Sequence, residues 1–215
     1  MRFDPSALDA ARLYKLLAAL VVPRPIALVT TRNENGTVNA APYSFFNILS
    51  DKPPVVGFGA AARSNGQPKD TVANLERTKA FVVHLVDAPL LDRMNVCSVD
   101  FAPGESEIVA AGLGLLDSER VDVPRIAEAP VHLECRHRQT IVLSERASIV
   151  LGDVVCIHVR PGLLDERSLH LDLARYRPVG RLFGTRYVAV DEHVVELPRL
   201  GRGDFPNSAT TQGVA

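Results

Sequence analysis

The sequence predicts a mainly β fold, antiparallel strands with peripheral helices, and three observations carry that expectation. Residues 26–31 are a short run rich in β-branched side chains, and Asn33-Glu34-Asn35-Gly36 after them has hairpin-turn chemistry, because Asn and Gly tolerate positive φ. Residues 38–47 and 53–58 are further apolar stretches, punctuated by Pro42 and by Pro53-Pro54. Farther on, Val131, Leu133 and Cys135 alternate with His132, Glu134 and Arg136, the period-two pattern of a half-buried strand.

The elements follow in order. Ser6 is the expected N-cap of a first helix in which Leu8, Ala11, Leu16, Leu17 and Leu20 recur near helical spacing, so one face should pack on the sheet. Pro23 and Pro25 stop that helix and hold Arg24 rigidly between two residues of fixed φ. Pro42 has no amide hydrogen, so the second strand should end or bulge there and leave residues 43–47 as a loop with free amides. Residues 55–59 read as a third strand buried on both faces, where Gly57 and Gly59 mark either a close approach to the backbone or tight strand packing. A helix from Asp70 to about Arg77, a strand over residues 80–86 and a helix from Pro89 to about Val96 come next.

Residues 98–130 contain Pro103-Gly104, Gly112, Gly114 and Pro124 and form a loop-rich insert, long enough for a lid or a subunit contact. Residues 146–159 supply another strand with a bulge at Gly152, and residues 165–177 are polar and partly helical. Residues 1–200 form one domain, and the Gly, Ser, Thr and Asn of residues 201–215 predict a flexible tail.

With 215 residues, 47% of them hydrophobic and 23% charged, the chain can bury a sizeable core. Its formal net charge of −1 gives no electrostatic reason to expect a nucleic acid or membrane partner. Cys97, Cys135 and Cys156 lack metal-ligand spacing and no secretion signal accompanies them, which predicts reduced, inert thiols in the cytoplasm and no metal site. The apolar run over residues 16–22 is too short to span a bilayer. His84, alone in an apolar strand, reads as a hydrogen-bonded structural residue, and Gly112-Leu113-Gly114 lacks the rest of a dinucleotide fingerprint.

Chemistry concentrates between Arg63 and Thr71. A helix starting at Asp70 beside Arg63 and Lys69 attracts phosphate through free N–H groups, the helix dipole and two cations. Asp70 opposes an anion unless its side chain turns away, and both cations are also what an ordinary solvated loop carries. Local reasoning leaves the two readings open.

The run Val22-Pro23-Arg24-Pro25-Ile26-Ala27-Leu28-Val29-Thr30-Thr31, the segment Asn39-Ala40-Ala41-Pro42-Tyr43-Ser44-Phe45-Phe46-Asn47, the pair Pro53-Pro54 and the triplet Lys69-Asp70-Thr71 resemble the flavin reductase-like family of FMN-binding split barrels. The likeness continues through Pro124-Arg125-Ile126, Glu134-Cys135, Gly152-Asp153-Val154-Val155 and residues 176–182, and covers about residues 13–187. Phe183 stands where family members often carry a second glycine.

The resemblance implies a six-stranded antiparallel Greek-key split barrel, paired with a second copy so that FMN lies at the subunit interface. It assigns Asn39, Ala41, Ser44, Phe45 and Asn47 to the isoalloxazine or ribityl part, and Arg63, Ser64, Lys69 and Thr71 to the phosphate. Arg181 and Tyr187 would contact the ring or its phosphate across the interface. The implied activity is hydride transfer from NADH or NADPH to FMN, with reduced flavin passed to a monooxygenase partner. It needs no catalytic side chain, because the cofactor carries the redox chemistry. A flavoredoxin-like electron carrier and a non-catalytic split-barrel binding module are the alternatives.

Overall fold

The computed structural model describes residues 1–63, 66–102, 105–190 and 194–197; the tail expected over residues 201–215 lies outside the described residues. A 3-10 turn over Pro5–Ala7 precedes α1 (Ala10–Leu20), β1 (Arg24–Pro25), β2 (Ala27–Arg32), β3 (Val38–Tyr43), β4 (Phe46–Asp51) and β5 (Pro54–Ala61). After these come α2 (Asp70–Thr78), β6 (Ala80–Leu85), α3 (Leu91–Val96), α4 (Glu107–Ala110), β7 (Leu115–Leu116) and β8 (Arg125–Ile126). The long strands β9 (Val131–Ser144) and β10 (Ala147–Val159), then β11 (Val179–Arg181) and β12 (Tyr187–Ala189), complete the order.

One sheet of seven strands, ordered β3-β2-β6-β9-β10-β5-β4 with every neighbour antiparallel, forms the body. Its two edges, β3 and β4, are consecutive in the chain, and the Gly59 amide of β5 donates to the Phe45 carbonyl at 2.7 Å. The sheet therefore curls until its edges approach at the Ser44-Phe45 turn, giving an antiparallel barrel with an open seam. The mainly β class with peripheral helices is as the sequence indicates. The seventh strand is β4, which pairs with β5 from Phe46↔Phe58 to Asp51↔Pro54.

Over β2, β3, β6 and the first half of β9 both faces of the sheet are covered. Inside the barrel Val29, Tyr43, Phe58, Phe81, Val83, Cys135 and Val150 pack with Leu75 of α2. Outside, Leu28, Val38 and Ala40 pack with Met94 of α3 and with Ile108, Leu113 and Ile126 of the insert. The outer row also carries Thr30, His84, His132 and Glu134, all buried, and Thr30 Oγ1 donates to the Pro124 carbonyl at 2.9 Å. Here the alternation read from β9 misleads: the insert buries the polar positions that a half-exposed strand would leave to water.

Four further expectations are corrected. Pro42 sits within β3, because β3 is an edge strand and the missing donor points away from β2, so only Ser44 and Phe45 link β3 to β4. Asp9, not Ser6, caps α1, accepting from the Arg12 amide at 2.8 Å, while Asp4 caps the preceding turn. Only Ala18 of α1 is buried, and Tyr14, Leu17 and Leu20 remain exposed, so the helix does not lay its apolar face on the sheet of its own chain. Residues 165–177 form turns rather than helix, since Asp165 and Asp172 accept from the Ser168 and Ala174 amides and Leu164 bridges to Leu171.

Other expectations hold. Arg24 is buried and its guanidinium donates to the carbonyls of Ala18, Val21 and Leu182, tying α1 to the chain beyond β11. Gly36 takes φ +85° in the hairpin turn, as the turn requires. The β9–β10 pairing shifts register between Leu151 and Gly152, where the ring of Phe81 crosses the Gly152 backbone. A Cβ at Gly152 would lie 2.3 Å from Phe81 Cζ, a contact that moves the ring or the strand. Gly152→Ala is therefore expected to lower stability by about 1–3 kcal/mol, the usual cost of overpacking, read as a lower urea midpoint with unchanged slope; an unchanged midpoint would show that Phe81 has room to move.

Candidate functional site

A buried chain of amides and hydroxyls seats α2 against the hairpin. Asn39 Nδ2 donates to Thr71 Oγ1 at 3.0 Å and to Thr31 Oγ1 at 3.3 Å. Asn74 Nδ2 donates to Thr31 Oγ1 at 3.2 Å and to Asn33 Oδ1 at 2.7 Å. Thr71 and Asn74 are three apart on α2 and so share a face, while Thr31, Asn33 and Asn39 face them from the hairpin. Buried polar groups of this kind hold a helix in one orientation, because any slip strands them without partners.

That seating aims the start of α2 into a cleft between β3, the loop before α2 and the segment after α3. The N-cap position is Lys69, which offers no side-chain acceptor, so the first amides of α2 have no capping oxygen. Arg63, Lys69, Asp70 and Thr71 form one wall, Asn39, Ala41, Pro42 and Tyr43 the floor, and Cys97 to Phe101 with Glu107 the other wall. Asp70 does not turn away to cap α2; it stays in the cleft wall and ion-pairs with Arg63 at 2.8 Å, while Lys69 lies 3.7 Å from Asp100, so each cation has a carboxylate partner.

Two buried acids line this cleft. The Tyr43 hydroxyl is buried and has no hydrogen-bond partner, approaching Thr71 without reaching bonding geometry. Burial raises its pKa to about 12, so it is a neutral donor. Burial, reinforced by Asp70, also raises Glu107 above the usual carboxylate range, against the Ala40 amide, which donates to Glu107 Oε2 at 2.8 Å. Sequence reasoning missed Glu107 and Tyr43. A carboxylate directly before apolar Ile108 was the available signal for Glu107, and Tyr43 read as part of a loop.

The structure thus gathers Asn39, Ala41, Arg63, Lys69 and Thr71 in one place; Ser64 lies outside the described residues. The other five are elsewhere. Ser44 Oγ accepts from Arg24 Nε at 3.4 Å, and Phe45 lies beside the Tyr14 ring of α1 at the surface. Asn47 accepts from the Ile48 amide, and Arg181 stacks on the Tyr187 ring and bonds its hydroxyl.

His84 is structural, as expected. Its Nδ1 donates to the Leu28 carbonyl at 2.8 Å and its Nε2 accepts from the Ile126 amide at 2.9 Å. Burial and the adjoining His132 ring lower its pKa to about 3, which keeps the ring neutral and able to accept that amide.

A family model described as "Flavin reductase like domain" matches residues 19–180. A relative from Deinococcus radiodurans, described as an uncharacterized protein, is 42% identical over 92% of this chain and 89% of its own. The solved 2-nitrobenzoate 2-nitroreductase NbaA of Pseudomonas fluorescens is 36% identical, with 99% of this chain and 100% of that one covered at a TM-score of 0.83. Nitrilotriacetate monooxygenase component B from Bacillus cereus is 32% identical over 92% and 98% of the two chains, with a TM-score of 0.87.

Glu107 gives a test of the cleft that needs no ligand. Its folded-state pKa lies above its ordinary value of 4.5, so the stability its protonated form contributes is complete below that value and is lost as pH rises through the folded pKa. Glu107→Gln is expected to remove this loss. As pH rises above 4.5 the urea midpoint of the wild type should fall relative to that of the variant; parallel curves would show that the carboxyl is not desolvated.

Proposed function

The chain belongs to the flavin reductase-like family, and from that premise we propose that it is an FMN-dependent NAD(P)H:flavin oxidoreductase. The observation that carries the reading is the convergence of Arg63, Lys69 and the uncapped start of α2 on the floor formed by Asn39 to Tyr43. The donor set fits a flavin mononucleotide. Two cations and free helix amides suit a terminal phosphate, and the buried, unpartnered Tyr43 hydroxyl is a neutral donor for a polar edge of the ligand.

Arg63, Ser64, Lys69 and Thr71 are assigned to the phosphate, and Arg63 would hold it in competition with its present partner Asp70. Asn39 and Ala41, with Tyr43, would orient the ribityl and ring. Bound flavin supplies the two-electron chemistry, accepting hydride from NADH or NADPH. The chain's task is to bind, to orient and to exclude water, and Glu107, whose pKa burial raises, adds a titratable carboxyl to the cleft wall.

Ser44, Phe45, Asn47, Arg181 and Tyr187 are assigned to the flavin through a second copy of the chain. The support is the exposed apolar surface around them: Tyr14, Leu17 and Leu20 of α1 and Ile48 and Leu49 of β4 are all uncovered, and the Tyr14–Phe45 contact joins the two elements. A homodimer covers this surface. Likeness to a monooxygenase component B supports delivery of reduced flavin to a monooxygenase, and three free cysteines support a cytoplasmic setting. No described helix is long and apolar enough to cross a membrane.

Purified protein is expected to bind FMN, identified by mass, and to oxidise NADH or NADPH with free flavin as acceptor. Stable flavin binding with no turnover of either donor, with 2-nitrobenzoate also tried as acceptor, would reject the reductase reading in favour of an electron carrier. Arg63→Ala together with Lys69→Ala should weaken FMN by about 2–5 kcal/mol, the loss of two charge-assisted contacts, in a flavin fluorescence titration. Unchanged affinity would return both residues to the status of solvated loop charges.

A further inference from the structure

The outer row of the sheet holds a second chemical cluster, none of whose members lines the flavin cleft. Glu134 of β9 and Cys156 and His158 of β10 point to the same side, because the register shift between Val154 and Cys156 places Cys156 opposite Glu134. His158 Nε2 lies 2.6 Å from Glu134 Oε1 and 3.4 Å from Cys156 Sγ, and the three ligand atoms all fall within 4.8 Å of one another. Glu134 is fully buried, whereas Cys156 and His158 are partly exposed, so the cluster opens to solvent on one side.

The arrangement is not a nucleophile–base–acid relay. A relay uses the two ring nitrogens for two different partners, with the thiol on one and the carboxylate on the other. Here both partners converge on the same nitrogen, and one proton on Nε2 cannot serve both. Three ligand atoms of different chemistry within 4.8 Å of one another are instead close enough to surround one metal ion.

We propose that Glu134, Cys156 and His158 form a divalent transition-metal site, with Zn²⁺ the ion that fits, and that solvent supplies its fourth ligand. A thiolate, an imidazole and a carboxylate together are a zinc-type set, and the two anions balance the charge of a dication. The sulfur-to-nitrogen separation of 3.4 Å already suits tetrahedral bonds of about 2.0–2.3 Å, and the Glu134–His158 pair, now 2.6 Å apart, would open by about 0.7 Å.

The surroundings supply an independent argument. Metal-bound carboxylates and imidazoles are held in place by outer partners. The Glu134 carboxylate accepts from the Glu119 amide at 2.8 Å and from the Arg120 amide at 2.6 Å, so its two oxygens are fixed by the insert. The other ring nitrogen of His158, Nδ1, lies 4.0 Å from the Glu119 carboxylate, within ion-pair range though beyond a hydrogen bond, so Glu119 is the outer partner nearest that nitrogen. Sequence spacing conceals the site, because its ligands come from two strands and the outer partner from a loop.

The test uses the full chain stripped of metal with a chelator and titrated with Zn²⁺ against a chromophoric competitor, and separately with Co²⁺. One Zn²⁺ per chain is expected, and Co²⁺ should produce a thiolate charge-transfer absorbance. Cys156→Ser should abolish that absorbance, and Cys156→Ser and His158→Gln should each weaken Zn²⁺ by more than about tenfold, with Glu119→Gln weakening it by about tenfold. Circular dichroism of each variant checks its fold, while the Co²⁺ spectrum of the wild type depends on no variant. Absence of stoichiometric Zn²⁺ binding, absence of the Co²⁺ band, or equal binding by folded Cys156→Ser would overturn the proposal. Metal content and flavin content are read separately, so failure here leaves the flavin reading intact.

Discussion

The candidate site rests on how a nine-residue helix is docked. A helix this short has little stability of its own, and its amphipathic face would allow several rotations against an apolar surface. The hydrogen bonds linking Asn39, Thr31, Thr71, Asn74 and Asn33 remove that freedom, because each alternative seating would leave buried amides without acceptors. Lys69 and the first amides of α2 consequently face the floor formed by β3. The position of a loop cation is thereby set by polar groups in the core.

The insert plays a comparable part on the other side of the sheet. It supplies Ile108, Leu113 and Ile126 to the outer core, Glu107 to the cleft wall, and the amides that hold Glu134. His84 shows how the two layers are joined. One neutral imidazole spans from the Leu28 carbonyl in the sheet to the Ile126 amide in the insert, and its low pKa keeps that bridge intact across the physiological range.

Much of this was legible in the residues. The β2–β3 hairpin follows from β-branched side chains and an Asn/Gly turn, the rigidity of Arg24 from its flanking prolines, and the irregularity at Gly152 from the absence of a Cβ. Arg63 and Lys69 were readable from the loop and the helix start they flank, whereas Asn39, Ala41 and Thr71 came from the family resemblance, and the fold lines one cleft with all five. What escaped depends on contacts distant in sequence. Nothing near Glu134 says that Glu119 and Arg120 will cover it, so a strand with polar alternate positions read as half-exposed. Pro42 read as a strand end because edge and interior positions, which decide whether a missing donor matters, are set by sheet order rather than by local sequence. The apolar spacing of α1 was correctly helical, yet within one chain most of that stripe faces water.

Strand β3 is the edge at which the barrel stays open, and an open edge invites pairing with strands of other molecules. In this chain the invitation is withdrawn residue by residue. The outward carbonyl of Val38 is taken by the Ser106 hydroxyl at 2.6 Å, the outward amide of Ala40 by Glu107, and at Pro42 there is no hydrogen to offer. A foreign β-strand arriving there finds no template to copy, so the same loop that walls the cleft also protects the protein from edge-to-edge aggregation.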